Sequence, residues 1–173
     1  MFYCTVSSPL GILTLASDGA ALTGLWLPGQ KYFALGLRSD AVNAPDLPVF
    51  QAAKAWITAY FAKDLLPEMP TLDPVGTPFR KAVWQKLMQI PAGEVVTYGT
   101  LAAQLRQEGI AASPRAVGGA VGHNPISIMI PCHRVIGSGG KLTGYAGGLQ
   151  AKTYLLELEG VRIPELRQRE VYP

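Results

Sequence analysis

The chain has 173 residues and a net charge of +3, and its 49% apolar and 16% charged residues are typical of a folded globular protein rather than a disordered one. Neither a membrane-length apolar run nor the basic region that opens a signal peptide is present, so we expect a cytoplasmic protein without membrane contact. Cys4 and Cys132, with two histidines, form no metal-ligand spacing, which predicts neither a disulfide nor a metal site.

The first part of the chain predicts an antiparallel sheet covered by a helix. Three apolar or β-favouring runs, separated by short turn signals, indicate a meander over residues 2–7, 10–16 and 21–27. From Asp46 the apolar spacing becomes helical. The face that should cover the sheet consists of Phe50, Ala53, Ile57, Tyr60 and Phe61. Because nothing here suggests catalysis, we predict a scaffold domain over residues 1–75.

A proline-marked linker over residues 66–76 leads into a second, mainly helical domain predicted over residues 76–173. Thr77-Pro78 and Ser113-Pro114 each combine a hydroxyl cap with a proline in the first turn, and Thr97 can cap a helix between them. The last two helices are short and joined by the loop 107–112, which suggests a helix-turn-helix. The whole chain is therefore predicted to be an α+β protein.

The positive charge is concentrated in this second half. Residues 1–76 hold four basic and six acidic side chains, whereas residues 77–173 hold eleven basic and six acidic side chains. Such an excess indicates a polyanion such as nucleic acid as partner, because neutralising phosphates releases counterions. A solvated basic face is the commoner cause, so charge alone leaves both explanations open.

The helix that begins at Ser113-Pro114 is unusual because it contains Gly118, Gly119 and Gly122. A glycine inside a helix costs about 1 kcal/mol relative to alanine. The three glycines leave a nearly bare surface beside Arg115, on which the backbone of DNA would fit. Tight packing against another helix of the protein explains them equally well.

The most reactive pair in the sequence follows a short apolar run. Ser127–Ile130 is rich in β-branched residues and bounded by prolines, which predicts a buried strand or extended segment ended by Pro131. Cys132 then stands beside a histidine and an arginine, both of which favour a thiolate. A buried free cysteine is more often an inert small hydrophobe, so its reactivity stays open at this point.

The last predicted helix runs from about Leu149 to Gly160 and follows two glycine-rich turns, 137–140 and 144–148. Glu159 falls on the same face as Leu155 and Leu156, which places a carboxylate toward the interior. A buried glutamate needs a partner, and His133 is the obvious one, because Cys-His-Glu is an arrangement that deprotonates a thiol. The alternative is that Glu159 caps the last turn at the rim.

The stretch Pro131-Cys132-His133-Arg134-Val135 resembles the signature of the O6-alkylguanine-DNA alkyltransferases, and further blocks occur in that family's order. These blocks are Thr97–Ala102, Arg115–Ala120, Asn124-Pro125, Gly144-Tyr145 and Glu159-Gly160. The resemblance is strong over residues 76–160 and extends to the first half only by layout. It implies a winged helix-turn-helix that enters the minor groove, where base identity is poorly read.

The resemblance also implies a single-turnover repair protein without a cofactor. Its partner would be double-stranded DNA containing O6-alkylguanine, with O4-alkylthymine as an open further substrate, and the protein would work as a monomer. The damaged guanine is flipped out of the duplex, and a cysteine thiolate attacks the alkyl carbon in one displacement.

The resemblance assigns roles residue by residue. Cys132 would be the alkyl acceptor, His133 its base through a water, and Glu159 the group that orients His133. Tyr98 would help to rotate the nucleotide and protonate the leaving guanine, and Asn124 would brace the helix against the cysteine loop. Arg115 would fill the vacated place in the stack. The residues implied to contact DNA or line the pocket are Thr97, Ala116, Gly118, Gly119, Val135, Tyr145 and Ala146.

Some positions depart from the family's pattern. Ala146 stands where some members have a serine, so a contact to O6 there must come from main-chain N–H groups, and the loop 107–112 is longer than in several relatives. The zinc ligands of animal members are absent. Two other classes are weighed: a non-catalytic alkylguanine sensor, whose members replace the cysteine kept here, and a cysteine hydrolase, which would not need the DNA-binding features.

Overall fold

The computed structural model describes residues 1–162, so the end of the predicted second domain, residues 163–173, lies outside the described residues. The chain divides into two compact units. The first contains Met1–Val75 together with Pro125–Ser127, and the second contains Gly76–Asn124 and the residues from Ile128 onward. The predicted domains were continuous stretches, whereas the first unit takes three residues from the second half of the chain. The roles assigned to the two domains stay predictions.

The predicted meander is confirmed. Strands β1 (Phe2–Ser8), β2 (Gly11–Ser17) and β3 (Leu22–Trp26) pair antiparallel in sequence order. A short strand that was not predicted, β4 (Val42–Asn43), pairs parallel with β1, which gives the sheet order β3-β2-β1-β4.

The first helix, α1 (Pro48–Ala62), covers this sheet as predicted and packs on β1, β2 and β3. It begins with a proline in its first turn and ends at Lys63, whose left-handed backbone (φ 58°) stops it. Its buried face is made by Val49, Phe50, Ala53, Trp56, Ile57 and Tyr60. Phe61, which was predicted on this face, is only half-buried.

The outer edge of β3 is paired with two stretches that lie far away in the sequence. The N–H of Leu22 donates to the carbonyl of Thr71 (2.8 Å), and the N–H of Asp73 donates to the carbonyl of Leu22 (2.9 Å). Further along, the N–H of Leu25 donates to the carbonyl of Pro125 (2.8 Å), and the carbonyl of Leu25 accepts from the N–H of Ser127 (2.9 Å). The predicted linker therefore contributes to the sheet edge, which its prolines had not indicated.

The second unit is mainly helical, as predicted. Its helices are α2 (Pro78–Met88), α3 (Tyr98–Gln107), α4 (Pro114–Gly122) and α5 (Leu149–Leu158), and two short parallel strands, β5 (Val96–Thr97) and β6 (Val135–Ile136), pair with each other. Helices α2, α3 and α4 pack together. Trp84 connects α2 to α4 by donating from Nε1 to the carbonyl of Ala120, at 2.9 Å.

The three predicted hydroxyl caps are confirmed. Thr77 Oγ1 accepts from the N–H of Arg80 at 3.3 Å. Thr97 Oγ1 accepts from Thr100 at 3.0 Å, and Ser113 Oγ accepts from Ala116 at 3.2 Å. Each bond satisfies one of the backbone donors that a helix start leaves free. The last helix also ends as predicted, at Gly160 with a positive φ of 82°.

The predicted strand Ser127–Ile130 is wrong. The segment is fully buried, but it forms a turn in which Ile128 has a φ of 72°, in the left-handed region that a β-branched residue rarely adopts. A short apolar run indicates burial and does not distinguish a strand from a buried turn. Beyond it, the N–H of Cys132 donates to the carbonyl of Ile130 (2.8 Å) across Pro131 (φ −81°, ψ 63°), which is an inverse γ-turn. Within residues 1–162, no helix is long and apolar enough to cross a membrane.

Candidate active site

Cys132 begins a single 3₁₀ turn, Cys132–Arg134, and is only 3% exposed. Asn124, directly beyond the end of α4 and also buried, donates from Nδ2 to the sulfur of Cys132 (3.0 Å) and to the carbonyl of Ile130 (2.8 Å). One amide group thus holds both the buried turn and the thiol. Because a hydrogen bond to the charged form favours it, this donor stabilises a thiolate at Cys132.

His133 lies in the same turn and is fully buried. Its Nε2 is 2.8 Å from Oε1 of Glu159, whose side chain is 3% exposed, whereas its Nδ1 is buried without a hydrogen-bond partner in the described part of the chain. The alternative that placed Glu159 at the exposed rim is therefore wrong. Burial lowers the pKa of His133; the bond and charge of Glu159 oppose this, and Arg134 and Lys152 add to it. The imidazole is accordingly neutral near neutral pH.

Arg134 holds the other side of the same carboxylate. Its Nε donates to Oε2 of Glu159 and its Nη2 to Oε1, each at 2.8 Å, and its Nη1 donates to the carbonyl of Ile90. The sequence indicated Arg134 only as a neighbour that favours a thiolate. Its pairing with Glu159 was missed, because residues 25 positions apart carry no local signal of contact.

Lys152 is a second site residue that the sequence analysis missed. Its side chain is fully buried, and its ammonium group donates to the carbonyls of Val135 and of Thr143, the latter at 3.0 Å. Burial lowers the pKa of Lys152 to about 8, against an opposing effect of Cys132. Helical spacing gives a usable signal, since Lys152 is three and four residues before Leu155 and Leu156 on the inward face of α5.

Tyr98, the first residue of α3, lies against the turn that precedes α5. Its hydroxyl is 3.4 Å from the carbonyl of Thr143 and 3.3 Å from that of Gly144. Burial raises the pKa of Tyr98 and a charge on Cys132 raises it further, while the bond to Thr143 opposes the shift. The hydroxyl is therefore protonated near neutral pH. A cleft of about 400 Å³ opens beside it, lined by Thr97, Tyr98, Gly99, Pro114, Gly118 and Ser138.

The surface of α4 is bare, as its glycines indicated. Arg115, Ala116 and Gly119 are exposed, and a Cβ atom at Gly119 or Gly122 would meet no other atom within 4 Å in the described part of the chain. At Gly118 a Cβ would lie 3.8 Å from the ring of Tyr98, an ordinary contact. Packing against another described helix therefore does not explain Gly119 and Gly122, and close approach of an external molecule to α4 stays a prediction.

The structure brings Cys132, His133, Asn124 and Glu159 together, but not all predicted site residues join them. Val135 is buried in β6, and Tyr145 and Ala146 are half-buried in the turn 144–148; none of the three lines the cleft. Their contacts to a base stay predictions, as do the DNA contacts of Arg115, Thr97, Ala116, Gly118 and Gly119. Within residues 1–162, no group of three His, Cys, Asp or Glu side chains could hold a metal ion.

Two family models match the chain almost end to end. The model described as "6-O-methylguanine DNA methyltransferase, DNA binding domain" matches residues 78–161. The model described as "6-O-methylguanine DNA methyltransferase, ribonuclease-like domain" matches residues 1–71. The chain belongs to the 6-O-methylguanine DNA methyltransferase family. The resemblance noted in the sequence is thereby confirmed, and it extends over the first half as well.

Similar proteins within this family carry a consistent name. A methylated-DNA–protein-cysteine methyltransferase of Mycobacterium tuberculosis is 48% identical over 162 residues, covering 94% of each chain. One of Haemophilus influenzae is 40% identical, covering 93% of this chain and 87% of its own. Among solved structures, Mycobacterium tuberculosis OGT in complex with DNA is 45% identical with a TM-score of 0.81, covering 92% of each chain.

Proposed function

We propose that this member of the 6-O-methylguanine DNA methyltransferase family repairs DNA by transferring the alkyl group of O6-alkylguanine to the sulfur of its own Cys132. The alkyl carbon's bond to O6 breaks and its bond to Sγ forms in one displacement, and the guanine that leaves takes up a proton. Because water does not displace a thioether, nothing in the site regenerates the thiol, so each molecule acts once.

The observation that carries this proposal is the hydrogen bonding of the two ring nitrogens of His133. Its Nε2 is held at 2.8 Å from Glu159, and its Nδ1 is buried without a partner in the described part of the chain. A neutral imidazole whose Nε2–H donates a hydrogen bond to a carboxylate presents Nδ1 as an acceptor. We propose that Nδ1 takes the thiol proton of Cys132 through one water, while Asn124 stabilises the thiolate.

The remaining predicted residues fit the handling of DNA. Tyr98 keeps its hydroxyl proton near neutral pH, because burial raises its pKa, and it can therefore protonate the leaving guanine. The exposed glycine surface of α4 would let a DNA backbone approach closely, and Arg115, exposed on the same helix, would fill the stack that a flipped base leaves.

We also propose that the partner is double-stranded DNA and that the protein works as a monomer in the cytoplasm. Support for the partner comes from the DNA-binding family model and the excess of basic residues in the second half. Neither Cys4 nor Cys132 forms a disulfide within the described residues, and the proposed reaction needs a reduced thiol, which fits a reducing compartment.

The proposal is tested by intact-mass and peptide analysis after mixing the protein with an excess of duplex that contains O6-methylguanine. We expect the mass of one methyl group per protein molecule, located on the peptide that contains Cys132, and no further reaction. Cys132→Ser should gain no methyl group, and Cys4→Ser, the matched control at the other free cysteine, should react as the wild type does. Repeated turnover, or a methyl group on Cys4, would contradict the proposal.

A further inference from the structure

Arg134 is the third member of the network behind Cys132, and its geometry is that of a bidentate ion pair. Two of its nitrogens bind the two oxygens of Glu159 at 2.8 Å each, and a third binds the carbonyl of Ile90. The side chains are 12% and 3% exposed, so the pair is largely removed from water. Oε1 of Glu159 therefore accepts from Arg134 and from His133 at the same time.

Arg134 determines how many protons the Glu159 carboxylate and the His133 imidazole bind in total. A buried carboxylate without a cation takes up a proton, because burial disfavours its charged form. If that proton goes to the imidazole, both ring nitrogens of His133 carry hydrogen. If it goes to Glu159, the carboxyl donates to Nε2 and the ring's own proton moves to Nδ1. In both cases Nδ1 is protonated, and it no longer accepts a proton from a thiol.

With Arg134 in place, the charge of Glu159 is balanced without an extra proton. Within the described residues, the other charged group that acts on the pKa of His133 is Lys152, on α5. Burial lowers the pKa of His133, Arg134 and Lys152 act in the same direction, and Glu159 acts against them. A bidentate partner is better suited to this than a mobile lysine, since both carboxylate oxygens are fixed in one plane.

We propose that Arg134 is a positioning residue that keeps the Glu159–His133 pair free of an additional proton, so that Nδ1 of His133 remains the acceptor for the thiol proton of Cys132. This inference rests on the proposed function and adds a group to it. Arg134 acts through Glu159 and need not touch the DNA or the reacting atoms.

The test compares Arg134→Met with the wild type in two measurements. The first is the single-turnover rate of methyl transfer from saturating duplex between about pH 6 and about pH 9, a range in which imidazoles titrate. The second needs no substrate: ¹⁵N chemical shifts of the imidazole show which ring nitrogens carry protons, and His123→Gln identifies the signals of His133. Arg38→Met is the matched control, because Arg38 makes a bidentate pair with Asp40 on the exposed surface.

We expect Arg134→Met to react at least about tenfold more slowly at neutral pH and to recover as the pH rises, since each unit by which the pKa of His133 exceeds the pH lowers the neutral fraction about tenfold. Nδ1 should be protonated at neutral pH in the variant and unprotonated in the wild type. Arg134→Lys should restore part of the wild-type profile, and Arg38→Met should retain all of it. Arg134→Gln, which is uncharged but keeps an amide donor, should repeat the shift and provides the test if Arg134→Met does not fold.

An Arg134 variant that folds and keeps the wild-type pH profile would overturn the inference, as would a rate lowered equally at every pH with Nδ1 still unprotonated, because that result indicates a purely structural role. The inference and the proposed function fail separately. If the wild-type protein does not transfer a methyl group to Cys132, the function is wrong, whatever the ¹⁵N shifts of the variants show.

Discussion

Lys152 shows, at the scale of a single residue, that keeping a buried positive charge in the site lowers the stability of the fold. Its ammonium group is fully buried, and within the described part of the chain its hydrogen-bond partners are two backbone carbonyls, those of Val135 and Thr143. Carbonyl dipoles replace only part of the lost hydration, so burial lowers the pKa of Lys152 to about 8 from its usual 10.5. The two bonds link β6 to Thr143, which directly precedes the turn 144–148 that holds Tyr145 and Ala146, both predicted to line the base pocket.

The pKa of Lys152 predicts a pH dependence of stability. Between about pH 8 and pH 10.5 the unfolded chain keeps the lysine proton and the folded chain loses it, so this group makes the free energy of unfolding rise with pH. The rise should be on the order of 3 kcal/mol over the window. Lys152→Met should abolish it, as measured by urea unfolding at the two ends of the window, whereas Lys81→Met, at an exposed position of α2, should not. A wild-type pH dependence in Lys152→Met would refute the assignment.

At the scale of elements, α4 combines a well-capped start with a surface that its own fold does not use. Ser113 caps the helix, and Val117, Ala120 and Val121 form its buried inner face. On the outer face, a Cβ atom at Gly119 would meet no atom of the described residues within 4 Å. The helix thus keeps residues that weaken it. The proposed close approach of a DNA backbone would account for them.

Gly119→Ala separates the stability of α4 from its use. The added methyl group meets no neighbour among residues 1–162, so we expect the free energy of unfolding to rise by about 0.5–1 kcal/mol, the usual difference between glycine and alanine in a helix. Affinity for duplex DNA should fall, because the methyl group would lie where the backbone approaches. Denaturant unfolding and a binding titration at fixed salt measure the two effects. Gln85→Ala, at an exposed position of α2, is the control. Unchanged DNA affinity in a stabilised variant would show that the bare surface is not a contact surface.

Elements with a local chemical cause were predictable from the sequence, and those set by distant contacts were not. The caps at Thr77, Thr97 and Ser113 follow from hydroxyl and proline chemistry within a few residues, and all three are present. The turn at 127–130 is set by contacts with distant parts of the chain. Its β-branched residues therefore gave no sign of the turn and wrongly predicted a strand. The same division holds in the site: the Cys132-His133-Glu159 grouping was predictable from one motif and one helix face, whereas Arg134's carboxylate contact required the folded chain.

At the scale of the whole molecule, the fold class and the two-part organisation are visible in the sequence, because the period of the apolar residues changes from two to 3.6 along the first part. The pairings at the edge of the sheet are not visible. Strand β4 has two residues, and the partners of β3 at residues 71–73 and 125–127 meet it through isolated bridges. Single bridges bury too few side chains to produce a recognisable spacing of apolar residues in the sequence.

The pairing of Leu25 with residues 125–127 has a consequence for how the protein is made. Residue 127 follows Val75 by 52 positions, so it is synthesised roughly 3–10 s later at about 5–20 residues per second. During that interval the first unit has its partner for Leu22 but none for Leu25, and an unpaired strand edge invites pairing with other chains. A fragment of residues 1–75 should therefore show slow amide hydrogen exchange at Leu22 and fast exchange at Leu25, whereas both amides exchange slowly in the whole protein. Equal protection of the two amides in the fragment would contradict this order. In this order, the edge of β3 at Leu25 is paired only after residues 125–127 have been synthesised.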